Sequence, residues 1–257
     1  MEPRSGLGEV ILVGGGPGDP DLLTIGGLRA LRAADVVLYD HLAPLTCLDE
    51  TKPGALLVDV GKLPRGSRTA QSDINSLLVQ HARAGAMVVR FKGGDPFVLG
   101  RGSEEWLACA EAGIPVRVIP GVSSAIAGPE LAGIPLTHRD YTRGVTFVTA
   151  HAQDHSEPDW AALAATGTTL VIYMGMSRLS SIQAGLRAAG LPAEMPAAVI
   201  ERAASPDERV LVTSLGLLAR EAQLGGYASP AVIVVGEVVA LATVREAELR
   251  RCWARCA

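Results

Sequence analysis

Aromatic side chains are scarce in this chain, 4% of 257 residues, whereas small and aliphatic residues are plentiful and the hydrophobic share reaches 48%. A core short of rings suits α/β layers better than a β-sandwich, and this length allows one large core or two ordinary ones. Cysteine is also rare. Cys47, Cys109, Cys252 and Cys256 form no CxxC pair and no regular framework, so isolated, reduced thiols and a cytoplasmic setting are expected. There is no basic excess: the net charge is −4, which leaves general nucleic-acid binding without its electrostatic footprint. No run of about 18 apolar residues occurs and the start, MEPRSGLG, has no apolar stretch, so neither a membrane span nor a signal peptide is expected. GxSxG and Cys/His nucleophile patterns are missing too, which argues against a hydrolase.

What is present is an alternation of short Val/Ile/Leu runs with segments of helical period, the pattern of βα units around a buried sheet. Strands are predicted at 9–14, 36–39, 55–60, 87–91 and 116–119, and in a second series at 145–150, 169–174, 197–201, 209–214 and 231–239. Helices are predicted at 71–84, 158–165, 177–189 and 214–223, the first capped by Ser72 or Asp73, with Ile74, Leu77, Leu78 and His81 on one stripe. The polar stretch between 201 and 209 is too short for a crossover helix, so the strands around it should be antiparallel. The reading is two α/β domains, residues 9–120 and 121–244, the first with a mainly parallel sheet and the second with a mixed one.

The turn VGGGPGDPDLL, residues 13–23, invites comparison with a dinucleotide-binding loop. GxGxxG needs a third glycine where this chain has Asp19, whose carboxylate repels a diphosphate, and Pro17 lacks an N–H for the cradle. A diphosphate is therefore not expected here. A second glycine turn, RFKGGDPFVLGRGSEE at 90–105, follows a predicted strand and places Asp95 at the bend, with Ser103 and the acids after it opening a helix. From residue 62 to residue 101 the chain carries Lys62, Arg65, Arg68, Arg83, Arg90, Lys92 and Arg101 against only Asp73 and Asp95. That local surplus either forms a solvated face or receives a polyanionic small molecule. His151 and His155 stand four apart in a loop-like stretch without a third ligand nearby, so no metal is expected.

VGGGPGDPDLLT, Tyr39 with Asp40, Gly61 with Lys62, VVRFKGGDPFVLGRGSEE, IPGVSSA, GIPLTHRDY, TLVIYMGM and SPAVIVVGEVV occur in an order and spacing that resemble the tetrapyrrole methyltransferase family over residues 9–240. The long GDPFVLGRGSEE form resembles the branch that acts on uroporphyrinogen III rather than on later precorrins. The resemblance implies a two-domain tetrapyrrole methylase-like fold that binds S-adenosylmethionine between its domains, and a homodimer. The implied reaction is C-methylation of uroporphyrinogen III at carbons 2 and 7 to precorrin-2, serving sirohaem or cobalamin synthesis. Implied cofactor contacts are Pro17, Gly93, Gly94, Asp95, Val98, Ser123, Ser124, Met174, Ala203 and Ala231. Asp40 matches a proposed base, with a turn-capping role as its alternative. Lys62 matches a proposed proton donor, with pairing to a substrate carboxylate as its alternative. Arg90, Lys92, Arg101, Arg139 and Arg143 are candidate partners for the eight carboxylates of the substrate.

Two stretches depart from the family pattern. Leu63 stands where an arginine usually follows the lysine, within GKLPRGSRTAQ, and Glu201-Arg202-Ala203 replaces a usual Asn-Gly. The alternatives kept open are a methyltransferase of the same fold acting on a later precorrin, and a module that binds a tetrapyrrole without turnover.

Overall fold

The computed structural model describes residues 6–61, 69–151 and 156–242. The chain divides into two compact units, Met1–Ser123 and Ser124–Ala257. In the first, β1 (Glu9–Gly14), α1 (Ile25–Ala33), β2 (Val36–Tyr39), β3 (Leu56–Asp59), α2 (Gln71–Arg83), β4 (Met87–Lys92), α3 (Gly102–Glu111) and β5 (Val116–Ile119) follow one another. The strands form one sheet in the order β3-β2-β4-β1-β5, parallel throughout.

Strand alternation explains how this sheet is covered. Val10, Leu12, Val36, Leu38 and Val88 pack with Ile74, Leu78 and Ala82 of α2 and Cys109 of α3. Ile11, Val13, Val37, Val89 and Phe91 face the other way, onto Ala30, Leu31 and Cys47. Burial of both faces is what makes Val10–Val13 of β1 an unbroken apolar run, whereas β4 carries Arg90 and Lys92 within its buried stretch.

Thr24 caps α1 by accepting the Gly27 N–H at 3.0 Å. The cap expected for α2 is different: its N-cap is Ala70, which offers no side-chain acceptor, and Asp73 lies inside the first turn, where its charge favours the positive helix end. Helix α3 opens at Gly102 rather than Ser103, because Arg101 takes a left-handed conformation (φ 59°) and Gly102 donates its N–H to Pro96 O at 2.9 Å. A Cβ at Gly102 would lie 2.3 Å from that same oxygen, so only glycine closes this loop.

The second unit contains α4 (Ser124–Leu131), β6 (Val145–Thr149), α5 (Trp160–Ala165), β7 (Thr169–Tyr173), α6 (Leu179–Ala188), β8 (Pro196–Glu201), β9 (Arg209–Ser214), α7 (Leu218–Leu224) and β10 (Ala231–Val235). Its sheet runs β6-β7-β10-β8-β9; only β6 and β7 are parallel, and β8 and β9 pair antiparallel as expected. The predicted strand 231–239 stops early. After Gly236 (φ 154°) the chain forms a 3-10 turn, Glu237–Ala240. Val238 and Val239, which the apolar run suggested as strand residues, are instead buried against Val171, Ile200 and Val234 under one face of the sheet. The opposite face packs Leu170, Ile172, Val199 and Ile233 onto Trp160, Ile182, Leu186 and Leu218 of the helices.

Candidate functional site

Ligands of open parallel sheets gather at the carboxyl ends of the strands, and in the first unit those ends carry the glycine turns. Gly15 N–H donates to Lys92 O (2.7 Å), and Gly16 and Gly94 exchange main-chain hydrogen bonds at 3.3 and 2.7 Å. The N–H groups that a phosphate cradle needs are thus already used to join the turn after β1 to the turn after β4. Gly14, Gly94 and Gly121 meet in the same place: a Cβ on Gly14 would lie 2.5 Å from Gly121 N, and one on Gly121 2.3 Å from Gly94 O. A Cβ on Gly93 would lie 2.5 Å from the Leu42 backbone. Close approach of backbone to backbone accounts for these glycines whether or not a ligand also approaches. Pro17, next in the first turn, is half-buried.

Asp40 follows β2 directly, beside the end of β4. Its Oδ1 accepts the N–H groups of Leu42 (3.1 Å) and Gly93 (3.4 Å), and its Oδ2 accepts Arg90 Nη2 at 3.1 Å. The carboxylate is thus both the turn cap and a held anion, with 22% of the side chain still exposed. Arg90 and Lys92 share a face of β4, two positions apart, and both meet Glu105 of α3: Arg90 Nε at 3.0 Å and Lys92 Nζ at 3.1 Å from the same Oε1. Gln71 Nε2 donates to this oxygen too, at 3.2 Å. Glu105 is fully buried, and its Oε2 has no hydrogen-bond partner among the described residues. Burial, helped by the Arg90 charge, pushes the Lys92 ammonium below its usual range, while Glu105 and Asp40 pull the other way.

This revises two expectations. Arg90 and Lys92 are each only 4% exposed and already paired within the unit, so they act on Asp40 and Glu105 rather than standing open to substrate carboxylates. Arg101 is exposed, with its fork on Glu104 at 2.8 Å. Lys62, Arg65, Arg68 and His155 lie outside the described residues, as do Cys252 and Cys256. Asp95 ties its own loop: Oδ1 accepts Phe97 N–H (2.8 Å) and Oδ2 accepts Gly121 N–H (3.0 Å). A carboxylate has about four lone-pair sites, so both oxygens can accept again. Val98 is half-buried in that loop and Ser123 is buried.

In the second unit, antiparallel register brings three candidates to one edge of the sheet. Val232 pairs with Tyr173 and Ala231 with Glu201, so Met174, Ala231 and Ala203 follow or begin strands at the same end. Met174 is 46% exposed and left-handed, φ 55°, a strained state of the kind that collects at functional sites. Ala203 is buried, and its Cβ leaves only a glycine's room at Gly128, where a Cβ would lie 2.9 Å away. The Ala125 N–H, just after Ser124 at the start of α4, donates to Tyr173 Oη at 3.2 Å. Arg139 and Arg143 are exposed around the turn that precedes β6. Because β6 runs parallel to β7, Arg143 sits at the sheet edge opposite Met174.

Sequence reasoning missed Glu105 as a member of this cluster and missed His41, whose Nε2 lies 2.7 Å from Asp59 Oδ2. Burial alone would raise the Asp59 carboxyl, but the bonds from His41 and the Gly61 N–H outweigh it and hold it below the usual range. A signal for Glu105 did exist: it stands four residues before Cys109, on the stripe of α3 that turns inward. Among the described residues no group of three or more His, Cys, Asp or Glu is placed to hold a metal ion, and no helix is long and apolar enough to cross a membrane.

Two α/β units, one with a parallel sheet whose glycine turns interlock and a carboxylate anchored beside them, the other with a mixed sheet, define a methylase-like two-domain class. The chain belongs to the tetrapyrrole (corrin/porphyrin) methylase family, whose model matches residues 9–219. It is similar to a uroporphyrinogen-III C-methyltransferase of Pseudomonas aeruginosa, 48% identical over 231 residues, covering 90% of this chain and 94% of that one. A siroheme synthase of Aeromonas hydrophila is 49% identical over 242 residues, 93% of this chain but 51% of that protein, so the chain spans about half the length of the siroheme synthases it matches. Among solved structures, uroporphyrin-III C-methyltransferase from Thermus thermophilus complexed with S-adenyl homocysteine superposes with a TM-score of 0.79 at 41% identity, covering 91% of this chain and all of that one.

Proposed function

We propose that this chain transfers the methyl group of S-adenosylmethionine to carbons 2 and 7 of uroporphyrinogen III, giving precorrin-2. The observation that carries the reading is the Asp40 carboxylate: three donors fix it, yet part of it stays open to a substrate. S-adenosylmethionine supplies an already electrophilic methyl, so the protein's task is to align a pyrrole carbon, exclude water and remove one proton after the new bond forms. Asp40 takes that proton. Its bonds to Leu42, Gly93 and Arg90 hold it through the transfer.

The residues fit the methyl donor. Asp95 keeps acceptor capacity for the ribose hydroxyls or the amino group, and Pro17, Gly93, Gly94, Val98, Ser123 and Ser124 complete this share of the contacts. Met174 presents a soft, exposed thioether suited to adenine, beside the small Ala231 and Ala203. Lys62, Arg101, Arg139 and Arg143 are assigned to the substrate carboxylates, Lys62 with proton donation as its other role. The protein is further proposed to work in the cytoplasm as a homodimer, which sedimentation of the purified chain tests.

Incubation with labelled S-adenosylmethionine and uroporphyrinogen III tests the reaction. A dimethylated product, red-fluorescent after oxidation, supports it; transfer only to precorrins would favour a later step, and tight pigment binding without label transfer would leave a binding module.

A further inference from the structure

We infer that Glu105 is a positioning residue for methyl transfer, holding Arg90 in the orientation that presents its Nη2 to Asp40. The inference rests on Asp40 being the base. The guanidinium of Arg90 is a flat plate, so fixing one of its nitrogens fixes the direction of the others. Its Nε donates to Glu105 Oε1 at 3.0 Å, its Nη1 to the Phe91 carbonyl at 2.9 Å and to the Leu38 carbonyl at 3.4 Å, and its Nη2 to Asp40 Oδ2 at 3.1 Å. The plate therefore runs from a fully buried carboxylate on α3 to a partly open one at the end of β2.

Stability alone is a poor reason for this arrangement. Buried ion pairs gain little over a well-packed apolar residue, because desolvation offsets most of the attraction. Here the geometry is also uneconomical as a pair: one oxygen of Glu105 accepts Arg90, Lys92 and Gln71, while the other accepts nothing among the described residues. What Glu105 does supply is a fixed anion behind Arg90. The Lys92 ammonium shares that anion, and Asp40 Oδ2 is left to Arg90.

The test uses Glu105→Gln, Asp40→Asn and the double variant, with kcat and KM for uroporphyrinogen III, melting curves and S-adenosylhomocysteine affinity measured on each. Glutamine keeps the shape and one acceptor while removing the charge. The expected result is a loss in kcat of about tenfold to a hundredfold with KM and S-adenosylhomocysteine affinity retained, and no further loss when the change is added to Asp40→Asn, since groups that act as a unit are non-additive. Full kcat in folded Glu105→Gln, or a loss that multiplies with that of Asp40→Asn, would overturn it. If Glu105→Gln does not fold, Arg90→Lys answers the same question, because a lysine can still pair with Glu105 but lacks the fork that reaches Asp40. The same kcat loss and non-additivity are expected, and full rate would again overturn the inference. Wild-type turnover by Asp40→Asn alone removes the reading of Asp40 as base, a different outcome from additivity, which removes only the role of Glu105.

Discussion

Replacing Asp40 by asparagine exchanges one oxygen for a nitrogen, and the surroundings leave no comfortable place for the amide. If the carbonyl oxygen stays with the N–H groups of Leu42 and Gly93, the new NH2 faces Arg90 Nη2, a donor against a donor at about the 3.1 Å that separates the present pair. If the amide flips, the NH2 faces the two backbone donors instead. Either way at least one charge-assisted bond is lost, worth about 1.5–3 kcal/mol, and Arg90 remains almost fully buried with one fewer anion. Because 22% of the Asp40 side chain is exposed, water relieves part of this, and a net cost of about 2 kcal/mol is expected. For a unit of this size that lowers the melting temperature by about 5–10 °C. Turnover should fall further than stability explains, by about a hundredfold to ten-thousandfold for loss of a general base, while S-adenosylhomocysteine still binds. Steady-state transfer of labelled methyl, measured well below the variant's melting point, separates the two effects. Retained kcat would refute the chemical role, and an unchanged melting temperature would refute the three-donor anchorage.

Gly93→Ala forces a Cβ to within 2.5 Å of the Leu42 backbone, so the loop carrying Asp40 must move; turnover is expected to fall at least as far as in Asp40→Asn, and near-normal turnover would contradict the close approach. Met174→Gly relieves a left-handed conformation that costs a side-chain-bearing residue about 1 kcal/mol. The variant should melt slightly higher yet bind S-adenosylhomocysteine more weakly, and unchanged affinity in a calorimetric titration would dismiss Met174 as a contact. Burial, and then the charge of Glu105, push the Cys109 thiol up to about 11 from an ordinary 9.0. Its contribution to stability is therefore complete below about pH 9 and is lost as the pH rises towards 11, because the unfolded thiol ionises first. Peptide-level mass spectrometry should find Cys109 unmodified by iodoacetamide at pH 8 until urea is added; rapid native alkylation would contradict its burial.

The central strands were legible because both faces are covered, as in Val10–Val13 of β1 and Val36–Leu38 of β2, and the edge strands β5 and β9, though partly exposed, also fall at the bounds their Val/Ile/Leu content suggests. The antiparallel return of β9 followed from the shortness of the stretch before it. The apolar run at 231–239 misled, since a valine pair buried in a 3-10 turn looks no different in sequence from one buried in a strand. Asp40 stood out as a candidate from its motif, but the environment of Arg90 and Lys92 could not be read there. Alternation places them on one face of β4, and nothing in a linear chain says which acid, fifteen or fifty positions away, will meet them. Glu105 looked like a helix-opening acid because its neighbour Glu104 is one, and only the packing of α3 tells them apart.

The paired main-chain bonds between Gly16 and Gly94 make two connections, distant in the chain, into a single mechanical piece. An insertion or bulky replacement in either would drag the other with it.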